Sequence, residues 1–241
     1  MQRNKQFTSW SFSRYTDWLL CPLKAKLAHL VKLPQEKGQA LIHGGNVHKE
    51  AEAVLKGGMA KVPPSLVMFH DLFIRLAKKR KKDVDTVVVE DDWAFTKAWE
   101  VTRWDDWDNC WLRIKVDCLE FMNQAEAVVR DWKTGKFSDW NLGQYQEQLE
   151  LYAVGTFALY PTVTVVRPQL VFLEPGVIWD KDAATKHPLV YTRREHFEPL
   201  KAKWAARVRP MLGDTLFKAK PNRLCGWCPY RKSAGGPCKE G

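Results

Sequence analysis

The sequence predicts an α/β protein with a mixed central β-sheet flanked by helices, a helical N-terminal region and a cysteine-bearing C-terminal tail. Three observations predict it. Apolar stretches with helical spacing fill the first third of the chain. Short β-branched, alternating stretches follow. A long apolar helix then leads to another buried strand, an arrangement that suits a sheet covered by helices. With 241 residues, 45% of them hydrophobic, the chain can bury a sizeable core as one domain over residues 1–241. Within it, 1–82 read as helical, 83–195 as the central core, and 196–241 as a basic helix and tail.

Ser11 and Ser13 are alternative N-caps for a helix over Thr16–Leu33, with Cys21 inside it and Pro34 ending it. Gly44-Gly45 opens a second helix through His48 to Leu55. Pro63-Pro64 interrupt, and a third helix over Ser65–Lys81 ends in the basic run Lys78–Lys82. Thr86–Glu90 and Trp93–Val101 read as strands, with a turn at Asp105–Asn109. Leu112–Phe121 and Glu126–Lys133 form a hairpin joined near Met122-Asn123-Gln124. A helix over Leu142–Leu159 stops at Pro161. Thr162–Leu173 is apolar and β-branched, as a buried strand requires. Val190–Arg193 is a short edge strand. His196–Lys218 is a basic helix limited or kinked by Pro199 and Pro210. Pro221–Gly241 has too few apolar residues to order itself.

The net charge is +10 and the isoelectric point near 9.3, which makes a polyanion a plausible partner. Most of the twelve tryptophans belong in the core, with a few left to face a ligand. No stretch reaches the ~20 apolar residues of a membrane span. The polar stretch Met1–Arg14 has no signal-peptide character, so the expected location is the cytoplasm and no membrane partner is expected. In that reducing compartment, six cysteines read as free thiols or metal ligands rather than disulfides.

Chemistry concentrates in the hairpin. Strand side chains alternate, so Asp131 and Lys133 share a face, with Trp132 on the other. A hairpin centred on Asn123 pairs Asp117 with Val129 and puts Asp117 diagonal to Asp131, within roughly 7–8 Å. Two converging carboxylates suit a hard divalent cation such as Mg²⁺. Lys133 is then available to orient or deprotonate a water, or to stabilise phosphate charge. His48, with Glu52 four residues on, offers an imidazole to that site; Gln148 and Tyr152 share a helix face. Cys21, Cys225, Cys228 and Cys238 fit either a 4Fe–4S cluster or zinc. Cys110 and Cys118 read as packed thiols.

Together, Cys21-Pro22, Gly44 to His48, Asp117, Asp131-Trp132-Lys133, and Gln148 to Tyr152 resemble the PD-(D/E)xK nuclease superfamily in its RecB-like branch. The resemblance runs from Ser11 to Cys238. The late cysteines make the chain similar to CRISPR-associated RecB-like exonucleases and AddB-type nuclease domains. It implies a restriction-endonuclease-like core and DNA as substrate, single-stranded or with an end, with recombination or CRISPR-type protein partners. It also implies that His48, Asp117, Asp131 and the Trp132 carbonyl bind Mg²⁺ or Mn²⁺, and that Lys133 is the catalytic lysine. Gln148 and Tyr152 would brace the site or the DNA, and Cys21, Cys225, Cys228 and Cys238 would hold a 4Fe–4S cluster. Three departures stand out: Lys115-Val116 and Cys118 flank the first Asp, the second acid is Asp, and the Cys228–Cys238 gap is long. The rival functions are a structure-specific or restriction-type endonuclease, a non-catalytic DNA-binding recombination module, and a zinc-stabilised nucleic-acid adaptor.

Overall fold

In a computed structural model of the chain, residues 6–35 and 38–240 are described. Seven strands form one mixed sheet: β1 (Val87–Phe95), β2 (Val101–Thr102), β3 (Leu112–Phe121), β4 (Glu126–Lys133), β5 (Val165–Phe172), β6 (Val177–Trp179) and β7 (Tyr191–Thr192). The order is β2-β1-β3-β4-β5-β6, and β7 pairs with β5 beside β6. Only β4 and β5 run parallel. Their connection is α5 (Leu142–Leu159), because parallel neighbours need a crossover rather than a hairpin.

The remaining helices are α1 (Phe12–Leu20), α2 (Pro22–Ala25), α3 (Gln39–Leu55), α4 (His70–Lys82) and α6 (Arg193–Gly213). Two apolar clusters sandwich the sheet. The larger holds Trp10, Leu119, Val129, Leu151 and Trp204. The smaller gathers α3 and α4 over Cys118, Trp132 and Val171. Gly155 lets α5 approach the sheet closely: a Cβ there would meet Ile114 Cδ1 at 2.8 Å. Most tryptophans are buried as expected, while Trp107, Trp140 and Trp227 stand exposed.

Several sequence expectations change. The first helix is not continuous through Cys21. It ends at Leu20, and Cys21 is extended at φ −161°, ψ 110°, because Pro22 disfavours helical backbone in the residue before it. Cys21 therefore sits at a break between two helices, with a π-helical turn at Lys26–Leu30 following α2. Gly44 and Gly45 lie inside α3 instead of opening it. Gly44 has a packing reason: a Cβ there would come within 3.2 Å of Thr134 Oγ1, one residue past β4. The third helix starts later, at His70, after a 3-10 segment at Pro64–Phe69. The expected break between Thr86–Glu90 and Trp93–Val101 is absent, and β1 runs through. α6 passes through Pro199 and Pro210; Thr192 caps it by accepting the Glu195 N–H.

Three basic residues of α6 are paired with carboxylates. Lys201 pairs with Glu198 at 2.9 Å, Lys203 with Glu150 at 2.6 Å, and Arg207 with Glu147 at 2.7 Å. Arg207 also lies over the Trp204 ring. Lys203 and Arg207 fasten α6 to α5, and Arg207 also donates to the Tyr15 hydroxyl of α1 at 3.3 Å.

Candidate active site

The hairpin register differs from the expected one by two residues. Cys118 pairs with Arg130 and Leu119 with Val129, so Asp117 and Asp131 fall opposite each other rather than diagonal. A two-residue shift preserves the face, so the two carboxylates still converge. The ladder does not continue to that pair. Instead the Asp117 Oδ2 accepts the backbone N–H of Trp132 at 2.7 Å.

Across the sheet on β1 stands Glu90, which the motif reading passed over. Its φ is +49°, a left-handed conformation inside a strand. Such backbone costs a non-glycine residue on the order of 1–3 kcal/mol and clusters at functional sites. The consequence is visible in the packing. Val87 and Val89 enter the smaller cluster, yet Trp93 and Phe95, of the same parity, enter the larger. The strand thus changes face at Glu90, directly opposite Asp117. The only sequence signal was an acidic residue ending a valine run.

His48 reaches in from α3. Its Nδ1 lies 3.5 Å from Asp117 Oδ1 and 3.6 Å from Glu90 Oε1. The ligating atoms of His48, Glu90 and Asp117 all lie within 4.8 Å of one another, a spacing that fits one metal ion. One imidazole nitrogen and two carboxylates match a divalent cation of the Mg²⁺ or Mn²⁺ type. Burial alone would lower the His48 pKa, but the Asp117 and Glu90 carboxylates outweigh it and lift the imidazolium to about 10. Asp117 is pushed up by burial and by the Asp131 charge, with His48 opposing. The Glu90, Asp117 and Asp131 carboxylates repel one another, a repulsion that the His48 imidazolium or a bound cation relieves.

Asp131 lies beside this trio with its oxygens engaged. Oδ1 accepts Gln148 Nε2 at 3.0 Å and the Tyr152 hydroxyl. Oδ2 lies 2.6 Å from Lys133 Nζ, although that approach is too poorly directed for a hydrogen bond. Lys133 Nζ instead donates to Gln148 Oε1 at 3.2 Å. Burial lowers the Lys133 pKa, but the Asp131 carboxylate overcomes this and leaves it raised. Tyr152 is raised well above the usual phenol by burial and by Asp131, so it stays a donor. Sequence reasoning thus assembled His48, Asp117, Asp131, Lys133, Gln148 and Tyr152 in one place. It missed Glu90. For Trp132 the observed contact is its N–H on Asp117.

Away from these residues in sequence, Cys21, Cys225, Cys228 and Cys238 line one cavity of about 240 Å³, with Trp227 and Asn222. Cys21 Sγ accepts the Lys220 N–H at 3.4 Å, and Cys225 Sγ the Asn222 N–H at 3.2 Å. Among the described residues these four sulfurs do not gather within the 4.8 Å found for the His48 group. Cys110 and Cys118 are buried, and burial pushes the Cys118 thiol up to about 12.

A family model described as the PD-(D/E)XK nuclease superfamily matches residues 9–233. The chain belongs to that superfamily, a class of metal-dependent phosphodiesterases, and nucleic acid is the substrate the class implies. Among solved structures, the chain is similar to the one titled "Crystal structure of SSO0001". The identity is 16% and the TM-score 0.48, over 99% of this chain and 90% of that one. No curated protein matches. No helix among the described residues is long and apolar enough to cross a membrane.

Glu90 yields a direct test. Glu90→Gln should weaken Mn²⁺ binding by at least about tenfold in calorimetry, as expected of a group at or next to the metal. Glu90→Gly should weaken it as much yet melt no lower than the parent, because glycine accepts φ +49° freely. Unchanged Mn²⁺ affinity in both variants would remove Glu90 from the site.

Proposed function

We propose that the protein is a divalent-metal-dependent deoxyribonuclease acting as an exonuclease on DNA ends, stabilised by a 4Fe–4S cluster. The observation that carries the nuclease reading is the convergence of His48, Glu90 and Asp117 beside the Asp131–Lys133 pair. A bound Mg²⁺ or Mn²⁺ supplies Lewis acidity toward the phosphoryl oxygen and lowers the pKa of water. His48, Glu90 and Asp117 would hold it, with Asp131 next to them. Lys133, fixed between Asp131 and Gln148, is positioned to orient the attacking water or to neutralise charge developing on the phosphate. Tyr152 and Gln148 keep the Asp131 carboxylate in one orientation.

Digestion of end-labelled single- and double-stranded DNA with Mg²⁺ or Mn²⁺ tests this reading. Stepwise loss from an end is expected, with closed circular DNA left intact. Cutting of the circle would replace exonuclease by the structure-specific or restriction-type endonuclease. Binding without cleavage in either metal would favour a non-catalytic recombination module.

The four-cysteine cavity supports the cluster reading. It joins a helix break at Cys21 to the far end of the chain, and backbone N–H groups already point at two of its sulfurs. Such hydrogen bonds to thiolate sulfur are a known tuning element of iron–sulfur sites. Zinc with ~2.3 Å bonds would instead draw four sulfurs to within about 4 Å of each other. Protein purified without oxygen should contain iron and be brown. Each of Cys21→Ala, Cys225→Ala, Cys228→Ala and Cys238→Ala should bleach it, while Cys110→Ala and Cys118→Ala should not. One zinc per chain and no iron would put zinc there. Neither metal would end the clasp.

A further inference from the structure

Beside the catalytic residues, two arginines meet with no carboxylate between them. Arg113 of β3 is buried, 6% exposed, and Arg14 of α1 is half-buried. Both donate to one hydroxyl: Ser9 Oγ accepts Arg113 Nη1 at 2.6 Å and Arg14 Nη1 at 3.0 Å. The other Arg113 donors go to the Trp104 carbonyl, at 3.1 and 2.9 Å. Neutral oxygens satisfy these hydrogen bonds, and the Trp104 and Trp107 rings lie 5.6 and 5.0 Å from the Arg113 guanidinium, but no anion among the described residues balances the two charges. Among the described residues, neither guanidinium lies in an ion pair, whereas the other buried arginine, Arg130, has Glu120 at 2.9 Å. A buried cation without a counter-charge is expensive. Burial and the Arg113 charge together lower the Arg14 pKa, which shows the two groups repelling each other.

Both arginines line a cavity of about 260 Å³ together with Lys115, Trp104, Gln148 and Tyr152. Aspartate and glutamate are absent from its lining. Gln148 and Tyr152 are the residues that hold the Asp131 carboxylate, so the cavity adjoins the catalytic group itself. Lys115 Nζ sits 5.0 Å over the Trp104 ring and pairs with Asp92 at its exposed end. The contrast with α6 is informative. There Lys201, Lys203 and Arg207 are each matched by a carboxylate, and here Arg14 and Arg113 are not.

We propose that this cavity is a second phosphate subsite, which binds a phosphate of the nucleic-acid strand next to the one being cleaved. Arg14 and Arg113 supply the charge, and Lys115 guards the mouth. The proposal rests on the nuclease reading. A phosphate can accept from both guanidiniums at once and bring negative charge between them, and charge-assisted bonds from arginine are the strong, directional kind. The phosphate has two possible sources: an internal phosphodiester, or a terminal phosphate at the strand end.

The test is binding of a fluorescent single-stranded oligonucleotide across a salt series, in EDTA so that no cleavage occurs. Arg14→Gln should weaken binding roughly tenfold or more and lower the log–log salt slope by about one. Arg14→Lys should restore the slope, a rescue that a merely structural role would not give. Lys78→Gln, on α4 across the sheet, should leave the slope as it was. Oligonucleotides with and without a terminal phosphate distinguish the sources. If the phosphate bound is terminal, removing it costs as much as Arg14→Gln, and the two losses do not add. If it is internal, both oligonucleotides weaken equally in the variant. Parent affinity and slope in Arg14→Gln overturn the subsite, even if the protein cleaves DNA with Mn²⁺. A flattened slope in a protein that cleaves nothing with Mn²⁺ keeps the anion cavity and removes the nuclease reading.

Discussion

Lys133→Ala is expected to slow DNA cleavage by a factor on the order of 10²–10⁴, the range lost with one acid–base or electrostatic catalyst. The lysine sits at the end of β4, 2.6 Å from Asp131 Oδ2 and 3.2 Å from Gln148 Oε1. It does not touch the His48, Glu90 and Asp117 ligand atoms, which lie within 4.8 Å of each other. Metal binding should therefore survive the substitution, and so should DNA affinity. Asp117→Ala should remove cleavage as fully, but by a different route. It takes away one of three ligand groups and the acceptor for the Trp132 N–H, so Mn²⁺ affinity should fall with the rate. Calorimetry alongside single-turnover cleavage separates the two. A lysine variant that cuts at the parent rate would end the assignment of chemistry to this site.

The hairpin that carries these residues was legible because its strands are apolar, alternate cleanly and are bounded by polar turns. Leu112–Phe121 and Glu126–Lys133 have the bounds that patterning gives them. The same holds for α5 over Leu142–Leu159, which Pro161 and a long apolar run delimit. Register is another matter. It depends on where the turn tightens, and the Asn123 side chain accepts the Ala125 and Glu126 N–H groups, so the turn closes one residue later than a loop centred on Asn123. The site survived because that change moves the pairing by two residues, an even number.

What stayed hidden depends on tertiary structure. Glu90 joins His48 and Asp117 through a left-handed backbone that nothing local favours. Cys21 read as helical because amphipathic spacing continues past it, although Pro22 carried the signal for a break. The strand β6 is three residues long, and only its pairing with β5 defines it. Net charge was the weakest guide. It marked the protein as basic without showing that Lys201, Lys203 and Arg207 of α6 are paired with Glu198, Glu150 and Glu147.

The largest effect on stability is expected at Glu120, which no motif marks. It is fully buried on β3 and receives three cations. Arg75 Nη1 lies at 2.5 Å and Lys79 Nζ at 3.1 Å, both from α4, and Arg130 Nη1 lies at 2.9 Å, from β4. The cluster ties α4 to the hairpin that carries Asp117 and Asp131. Burial pushes the Glu120 carboxyl up, but Arg75, Arg130 and Lys79 outweigh that and hold it at about 2. A carboxylate depressed in the folded state stabilises it at all pH values above the unfolded pKa, near 4.3. That contribution is lost as pH falls from there toward about 2. Glu120→Ala leaves the buried Arg130 unpaired and should cost about 3–5 kcal/mol, lowering the melting temperature by on the order of 10 °C at neutral pH. It should also flatten the acid limb of the stability profile, because the group that titrates there is gone. Glu120→Met combined with Arg130→Met should recover much of the loss, since well-packed apolar pairs replace buried ion pairs at little cost. Equal melting of parent and Glu120→Ala at pH 7 would mean that α4 is held by its apolar contacts rather than by this ion cluster.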